Sequence, residues 1–196
     1  MLNGEPFLPY HAQLVDERER CKGAIFRFNN SSNPAVEIAS DERMRHFRSI
    51  LAARWVQGPQ FRGHPNPTGH NIPVTGHCGP DVFVDTPFMC DYGYNISIGE
   101  RVAIGSSCKF LDSGRITIGR NTEIGAGVTI DTRVVPQDFK VMKGSRGQSV
   151  CKEVHIGENV YIGANATICA GVKIGTGAII YSGSVVVRVS TVSETM

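Results

Sequence analysis

From Ile96 onward the apolar positions of this chain fall into sixes. They read ISIGER, VAIGSS and CKFLDS, then, after the insertion Gly114–Arg115, ITIGRN, TEIGAG and VTIDTR. The pattern resumes as VHIGEN, VYIGAN, ATICAG, VKIGTG, AIIYSG and SVVVR. An aliphatic side chain stands third in nearly every hexad: Ile98, Ile104, Ile118, Ile124, Ile130, Ile156, Ile162, Ile168, Ile174 and Ile180. A period of six matches neither the turn of an α-helix nor the alternation of a long strand. It matches one short strand plus one turn, three of which close a triangular coil. The chain is therefore predicted to be mainly β, a parallel β-helix with the recurring aliphatics stacked inside. The Gly or small residue that usually follows suits a corner where the backbone bends tightly. An antiparallel sandwich is disfavoured, because it needs strands of about five residues and turn signals roughly 8–12 residues apart.

Upstream the periodicity becomes helical. Leu14, Cys21, Ala24, Ile25 and Phe28 share one stripe, and Met44, Phe47, Leu51 and Trp55 share a second that opens after Ser40 and Asp41, either able to cap it. Two amphipathic helices joined by the turn-rich NNSSNP are expected to form an N-terminal cap over residues 1–56. Residues 57–80 hold five of the ten prolines and three histidines with little periodicity, and are read as a connection. The β-helix is assigned to 81–189. Its interruption at 134–153 carries Lys140, Lys143, Arg146 and Lys152 with few apolar residues, and such an excursion from a packed wall is where a binding arm is expected.

Length and charge narrow the picture further. At 196 residues the chain supports one cored domain with an appendage. Its 20 basic and 18 acidic residues leave a net charge of +2, too weak a field to point to nucleic acid or a membrane surface, so neither is expected as a partner. Cys21, Cys78, Cys90, Cys108, Cys151 and Cys169 form no C-x-x-C pair and read as small buried hydrophobes in a reducing compartment; no metal site is expected. The opening MLNGEPFLPYH lacks a basic and then apolar leader, and no apolar run approaches ~18 residues, which gives an expected cytoplasmic location.

Three blocks carry a family likeness: PFMCDYGYNISIG (Pro87–Gly99), FLDSGRITIG (Phe110–Gly119) and VYIGANATICAGVKIG (Val160–Gly175). With the opening GEPFLPYHAQLVDERERCKGAIFRFNNS (Gly4–Ser31), they resemble the maltose and galactoside O-acetyltransferases, a likeness that covers nearly the whole chain. The resemblance implies a left-handed β-helix under a cap of the maltose-acetyltransferase type. It also implies a homotrimer with sites in the clefts between subunits, a small-molecule acceptor and acetyl-CoA lying along the cleft.

In that family a histidine base stands in a Thr-x-x-His-Pro run at the start of the excursion. Here the run reads Thr132-Arg133-Val134-Val135-Pro136, so Val135 holds the histidine's position. Valine accepts no proton, and losing a general base typically costs about 10²–10⁴ in rate. Other acceptor positions of the family differ as well. Gly105 stands for an asparagine, Ser113 beside Asp112 for the second member of an acidic pair, and Pro9 for an acid of the cap, whereas Asp91 in CDYG matches. Toward the cofactor, Tyr161 stands for a tryptophan. Ala164, Ser182 and Arg188 lie where a pantetheine arm and a phosphate would run, and Val186-Val187-Arg188-Val189-Ser190 departs from the family's tail, so CoA contact there is expected to be weaker.

Asp91, Asp112 and Arg133 are the candidate catalytic residues. The two aspartates read either as an acid and base facing the cleft or as corner carboxylates bonded to backbone amides. Arg133, with Lys140, Lys143 and Arg146, reads either as an anion site or as part of a solvated basic loop. His70 and His77 are the histidines a cleft could recruit, His155 is expected to face outward, and Cys90 and Cys108 are expected in the packed wall. Three functions follow. The first is a repurposed enzyme that cyclises, isomerises or dehydrates a small, less polar metabolite in the inter-subunit cleft without the usual histidine base, with no cofactor assigned. The second is an acetyl-CoA-dependent O-acetyltransferase for a non-sugar alcohol. The third is a non-catalytic trimer that binds a ligand or a partner. The residues alone rank the first slightly ahead.

Overall fold

The computed structural model describes residues 5–32, 38–52, 75–136, 138, 140 and 142–187. Three parallel five-stranded sheets form the walls of a left-handed solenoid. The first wall runs β1 (His77–Cys78), β4 (Ile96–Ile98), β7 (Ile116–Ile118), β12 (Val154–Ile156) and β15 (Lys173–Ile174). The second runs β2 (Phe83–Val84), β5 (Ala103–Ile104), β8 (Glu123–Ile124), β13 (Tyr161–Ile162) and β16 (Ile179–Ile180). The third runs β3 (Phe88–Cys90), β6 (Cys108–Leu111), β9 (Thr129–Asp131), β14 (Thr167–Ile168) and β17 (Val185–Val186).

Register turns the sixfold repeat into columns. Ile98, Ile118, Ile156 and Ile174 are successive partners on the first wall, and Val84, Ile104, Ile124, Ile162 and Ile180 on the second. Phe110, Ile130, Ile168 and Val186 line the third. Nearly all of these side chains are buried, and removing their apolar surface from water is the main force holding coil on coil. The corner glycines are needed for contact between coils. A Cβ at Gly119 would stand 2.5 Å from the carbonyl oxygen of Gly157.

The first coil precedes the start expected at 81. β1 already pairs with β4, and its inward column begins with Cys78. This coil lacks the Ile-Gly signature, and its inward positions hold Cys78, Val84 and Cys90 instead.

The cap consists of α1 (Ala12–Asn30) and α2 (Ser40–Ile50). The predicted stripe of α1 is its buried face at Cys21, Ala24, Ile25 and Phe28, and α2 buries Phe47 and Ile50. Neither Ser40 nor Asp41 caps α2. The N-cap residue is Ala39, which makes no side-chain bond, while Asp41 and Glu42 lie in the first turn, where their charge favours the helix dipole. Trp55 lies outside the described residues. A chain of rings ties cap to solenoid: Phe28 to Phe47 at 5.4 Å, Phe47 to Phe88 at 5.4 Å and Phe88 to Phe110 at 5.2 Å between centroids.

The excursion leaves after β10 (Arg133–Val134) and returns through β11 (Val150–Cys151), which pairs with β10 antiparallel. Between them lies a short 3-10 turn at Gly144–Arg146. The returning strand also bridges the N-terminal segment, with Phe7 N–H donating to the Ser149 carbonyl at 2.9 Å and Ser149 N–H donating to that of Phe7 at 2.8 Å. All six cysteines are free thiols. Among the described residues no helix is long and apolar enough to cross a membrane.

Candidate functional site at the cap, the first coil and the arm

β3 ends at Cys90, and the chain turns through Asp91, Tyr92, Gly93, Tyr94 and Asn95 into β4. This turn is built on Asp112, one coil further along. Asp112 Oδ1 accepts the backbone N–H of Asp91 at 2.9 Å and of Tyr92 at 2.8 Å, and its carbonyl oxygen accepts Asn95 Nδ2 at 2.6 Å. Asp112 is fully buried, and burial pushes its carboxyl up to about 7 against the pull of the two amides. Its Oδ2 has no hydrogen-bond partner among the described residues.

The structure thus places Asp112 under the site rather than in it. Of the two readings of the aspartates, this one follows the backbone-bonding alternative, because a carboxylate without exposed surface cannot meet a substrate. Asp91 is different. It is half-buried, and burial raises its carboxyl while Arg133 and Arg18 pull it back down.

Arg133, on β10, donates its backbone N–H to Asp131 Oδ1 at 2.8 Å, and its guanidinium reaches the same carboxylate through Nε at 3.3 Å and Nη2 at 3.5 Å. Val135 follows at the root of the arm and is 77% exposed. Thr132, just before Arg133, is buried and donates to the Leu111 carbonyl at 2.6 Å while accepting the Gly114 amide at 2.8 Å, so it fixes the root of the arm.

From the cap, Arg18 donates through Nη1 to the Tyr92 hydroxyl at 2.7 Å, and its guanidinium carbon lies 5.7 Å from the ring centroids of both Tyr10 and Tyr92. Tyr94 donates to Glu17 Oε2 at 2.6 Å. The Tyr92 phenol is pushed up to about 12, chiefly by burial, and stays neutral. A cavity of about 280 Å³ opens beside these groups, lined by Pro9 and Tyr10 of the N-terminal segment, by Arg133 and Pro136, and by the arm from Met142 to Ser149.

Asp91 and Arg133 therefore feel each other's charge, with Arg18, Tyr10 and Tyr92, which the sequence reading passed over, around them, and Val135 stands two residues beyond Arg133. A signal for them existed. Glu17 and Arg18 interrupt the apolar stripe of α1 between Leu14 and Cys21, and a charge on a buried helix face marks a built interaction. Gly105, read as an acceptor position that has lost an amide, is a packing glycine. A Cβ there would stand 2.7 Å from the Ala126 nitrogen.

The cofactor candidates lie elsewhere. Tyr161 is exposed on β13 beside its partner Ile179, and Ser182 packs on the next coil, where a Cβ at Gly163 would lie 2.7 Å from its Oγ. Exposed Tyr161, Ile179 and Tyr181, with Ala164 and the Ser182 hydroxyl at the corner, give an apolar strip edged by one polar group. That donor set fits the thin, amide-bearing pantetheine arm of CoA. Arg188 and His70 lie outside the described residues. His77 pairs with Ser97 on the first wall and faces a separate groove, His155 is exposed, and Cys90 and Cys108 are buried in the wall.

A three-walled β-helix with a two-helix cap and an arm over a cavity defines a hexapeptide-repeat transferase scaffold. In its cap and its repeats the chain is similar to the maltose acetyltransferases among such proteins. Residues 1–53 match the maltose acetyltransferase hexapeptide capping motif, residues 95–132 the hexapeptide repeat of succinyl-transferase and residues 153–188 the bacterial transferase hexapeptide.

A maltose O-acetyltransferase from Clostridium difficile superposes with a TM-score of 0.70 at 29% identity, covering all of this chain and 92% of that one. A galactoside acetyltransferase in complex with coenzyme A gives 0.75 at 25% identity, covering 95% and 78%. Nodulation protein L of Rhizobium meliloti is 42% identical over 84 residues, 43% of this chain and 45% of that protein. The chain spans about half the length of the curated relatives it matches. These likenesses give no support to a cyclising, isomerising or dehydrating enzyme, and the expectation ranked first from the residues is corrected on that ground.

Proposed function

We propose that this protein is an acetyl-CoA-dependent O-acetyltransferase for a small, less polar alcohol or phenol, with Asp91 as the proton acceptor. The observation that carries the proposal is the half-buried Asp91 carboxylate, which feels the charges of both Arg133 and Arg18, in a chain where the position of the family's histidine base holds Val135. The chemistry that acetyl-CoA supplies when bound is an electrophilic thioester carbonyl. Tyr161, Ala164 and Ser182 would hold its pantetheine arm.

Asp91 takes the proton of the acceptor hydroxyl. Partial burial raises the proton affinity of its carboxylate above that of an exposed one, which makes it a better base, while Arg133 and Arg18 pull in the other direction. Arg18 acts through Tyr92 and holds the turn that presents Asp91. Pro9, Tyr10, Pro136 and Met142 give the neighbouring cavity, which Arg133 lines, one apolar side, and that side suits the nonpolar part of a small acceptor. The family resemblance supports assembly as a homotrimer.

The test is acetyl ester formation from acetyl-CoA and a panel of small alcohols and phenols, read by mass spectrometry. Asp91→Asn is expected to lower the rate by about 10²–10⁴ with an unchanged melting temperature. Millimolar CoA is expected to raise the melting temperature of both proteins. Equal rates for wild type and Asp91→Asn would overturn the role of Asp91. No transfer together with no CoA effect on melting would overturn the activity.

A further inference from the structure

We infer that the cavity between the N-terminal segment and the arm recognises a carboxylate, and that the acceptor is a compact hydroxy acid with one apolar ring, held by Arg133 and Lys143. The inference deepens the acetyl-transfer reading and rests on it for the word acceptor. The binding claim stands on the cavity itself.

Two cations, Arg133 and Lys143, line this cavity, and no carboxylate appears among its lining residues. Among the described residues the Arg133 guanidinium meets Asp131 at 3.3 and 3.5 Å, through Nε and Nη2, which leaves Nη1 for another acceptor. A guanidinium in that state is a fork suited to a planar carboxylate, and an ammonium on the arm adds a second point of charge. Gln148 and Ser149 add polar groups on the arm's side.

The rest of the lining is apolar. Pro9, Tyr10, Pro136 and Met142 present flat or flexible nonpolar surface, and Arg18, stacked at 5.7 Å from the Tyr10 ring, holds that ring from the cap side. At about 280 Å³ the space is small beside the roughly 300–1,000 Å³ of small-molecule pockets, and it matches one ring with a short acidic arm. A neutral sugar offers nothing to Arg133 and Lys143 that water does not. An acid does, because exchanging solvent for a fixed guanidinium fork gives a charge-assisted pair.

Calorimetry without CoA tests the inference directly. The probes are para-hydroxybenzoate and para-hydroxyphenylacetate, each against its methyl ester. The wild type is expected to bind at least one acid about tenfold or more tightly than its ester, with affinity falling as salt rises. Arg133→Gln and Lys143→Gln are each expected to weaken the acid about tenfold and leave the ester unchanged, and Arg133→Lys to restore part of the loss. Lys140→Gln, on the same arm but outside the lining, is expected to bind as wild type. Equal binding of acids and esters, or no binding of any acid, overturns the inference.

Acetyl transfer measured in parallel separates the two readings. Acid binding with this mutational pattern but without transfer sinks the acetyltransferase reading and keeps the carboxylate site. Transfer to neutral alcohols without preference for acids does the reverse.

Discussion

Arg18 of the cap and Tyr92 of the first coil are bound edge and face at once, by a 2.7 Å hydrogen bond to the phenol oxygen and by a guanidinium 5.7 Å from the ring centre. The same arginine lowers the proton affinity of Asp91 next to Tyr92. Replacing Arg18 with Met keeps much of the side chain's bulk and removes the charge. Asp91 then loses one of the cations that hold it ionised, so its pKa rises. A reaction that needs the carboxylate form should have the acidic limb of its kcat/KM profile displaced to higher pH. Lost packing alone would lower the whole profile without moving it.

Asp112 predicts an inverted pH dependence for a carboxylate. Its pKa is about 7 in the folded protein, whereas an unfolded aspartate titrates near ~3.9. The native state therefore keeps its proton when the unfolded chain has released it. This contribution to stability is full below about pH 4 and is lost as pH rises to about 7, a change on the order of 4 kcal/mol. Urea unfolding at pH 5 and pH 8 should show a smaller difference for Asp112→Asn than for wild type. The amide keeps an oxygen for the Asp91 and Tyr92 N–H groups and carries no charge at either pH.

Phe47 is fully buried between Phe28 and Phe88, in the only described ring column that runs from cap to solenoid. Phe47→Ala should cost about 3–5 kcal/mol. Because the lost contacts hold the cap, limited proteolysis is expected to cleave within α1 or α2 before the β-helix is touched. Simultaneous loss of both regions would show that the cap and the coils unfold as one unit.

Val135 is exposed at the root of the arm, where a substitution meets little packing, so Val135→His should change stability by less than about 0.5 kcal/mol. An imidazole there titrates near neutrality and offers a second base. Acetyl transfer is expected to rise by about tenfold to a hundredfold, read as kcat under saturating acceptor. An unchanged rate would place the reacting hydroxyl out of reach of the arm's root.

The hexads made the β-helix legible because each inward Ile-Gly pair satisfies a local and a long-range demand together. The isoleucine fills the column, and the glycine lets the next coil approach. The first coil was harder to see, since Cys78, Val84 and Cys90 meet the same demands with less common residues. At the site, the family resemblance pointed to Asp91 and the charge at the arm's root to Arg133, but neither gave their relation, because Arg18 reaches Tyr92 across 74 positions of sequence. For Asp112 the sequence left a reactive carboxylate and a corner carboxylate bonded to amides both open, and the register of β3 with β6 makes it a support for the neighbouring turn. Gly105 looked like a lost ligand, yet the coil beneath leaves no room for a side chain.

The exchange of two hydrogen bonds between Phe7 and Ser149 joins the opposite sides of the cavity. One side belongs to the amino end of the chain, the other to an arm more than a hundred residues away, and nothing covalent nearby holds them in step. The two walls of the pocket thus keep their distance through backbone pairing, the same force that sets one coil on the next.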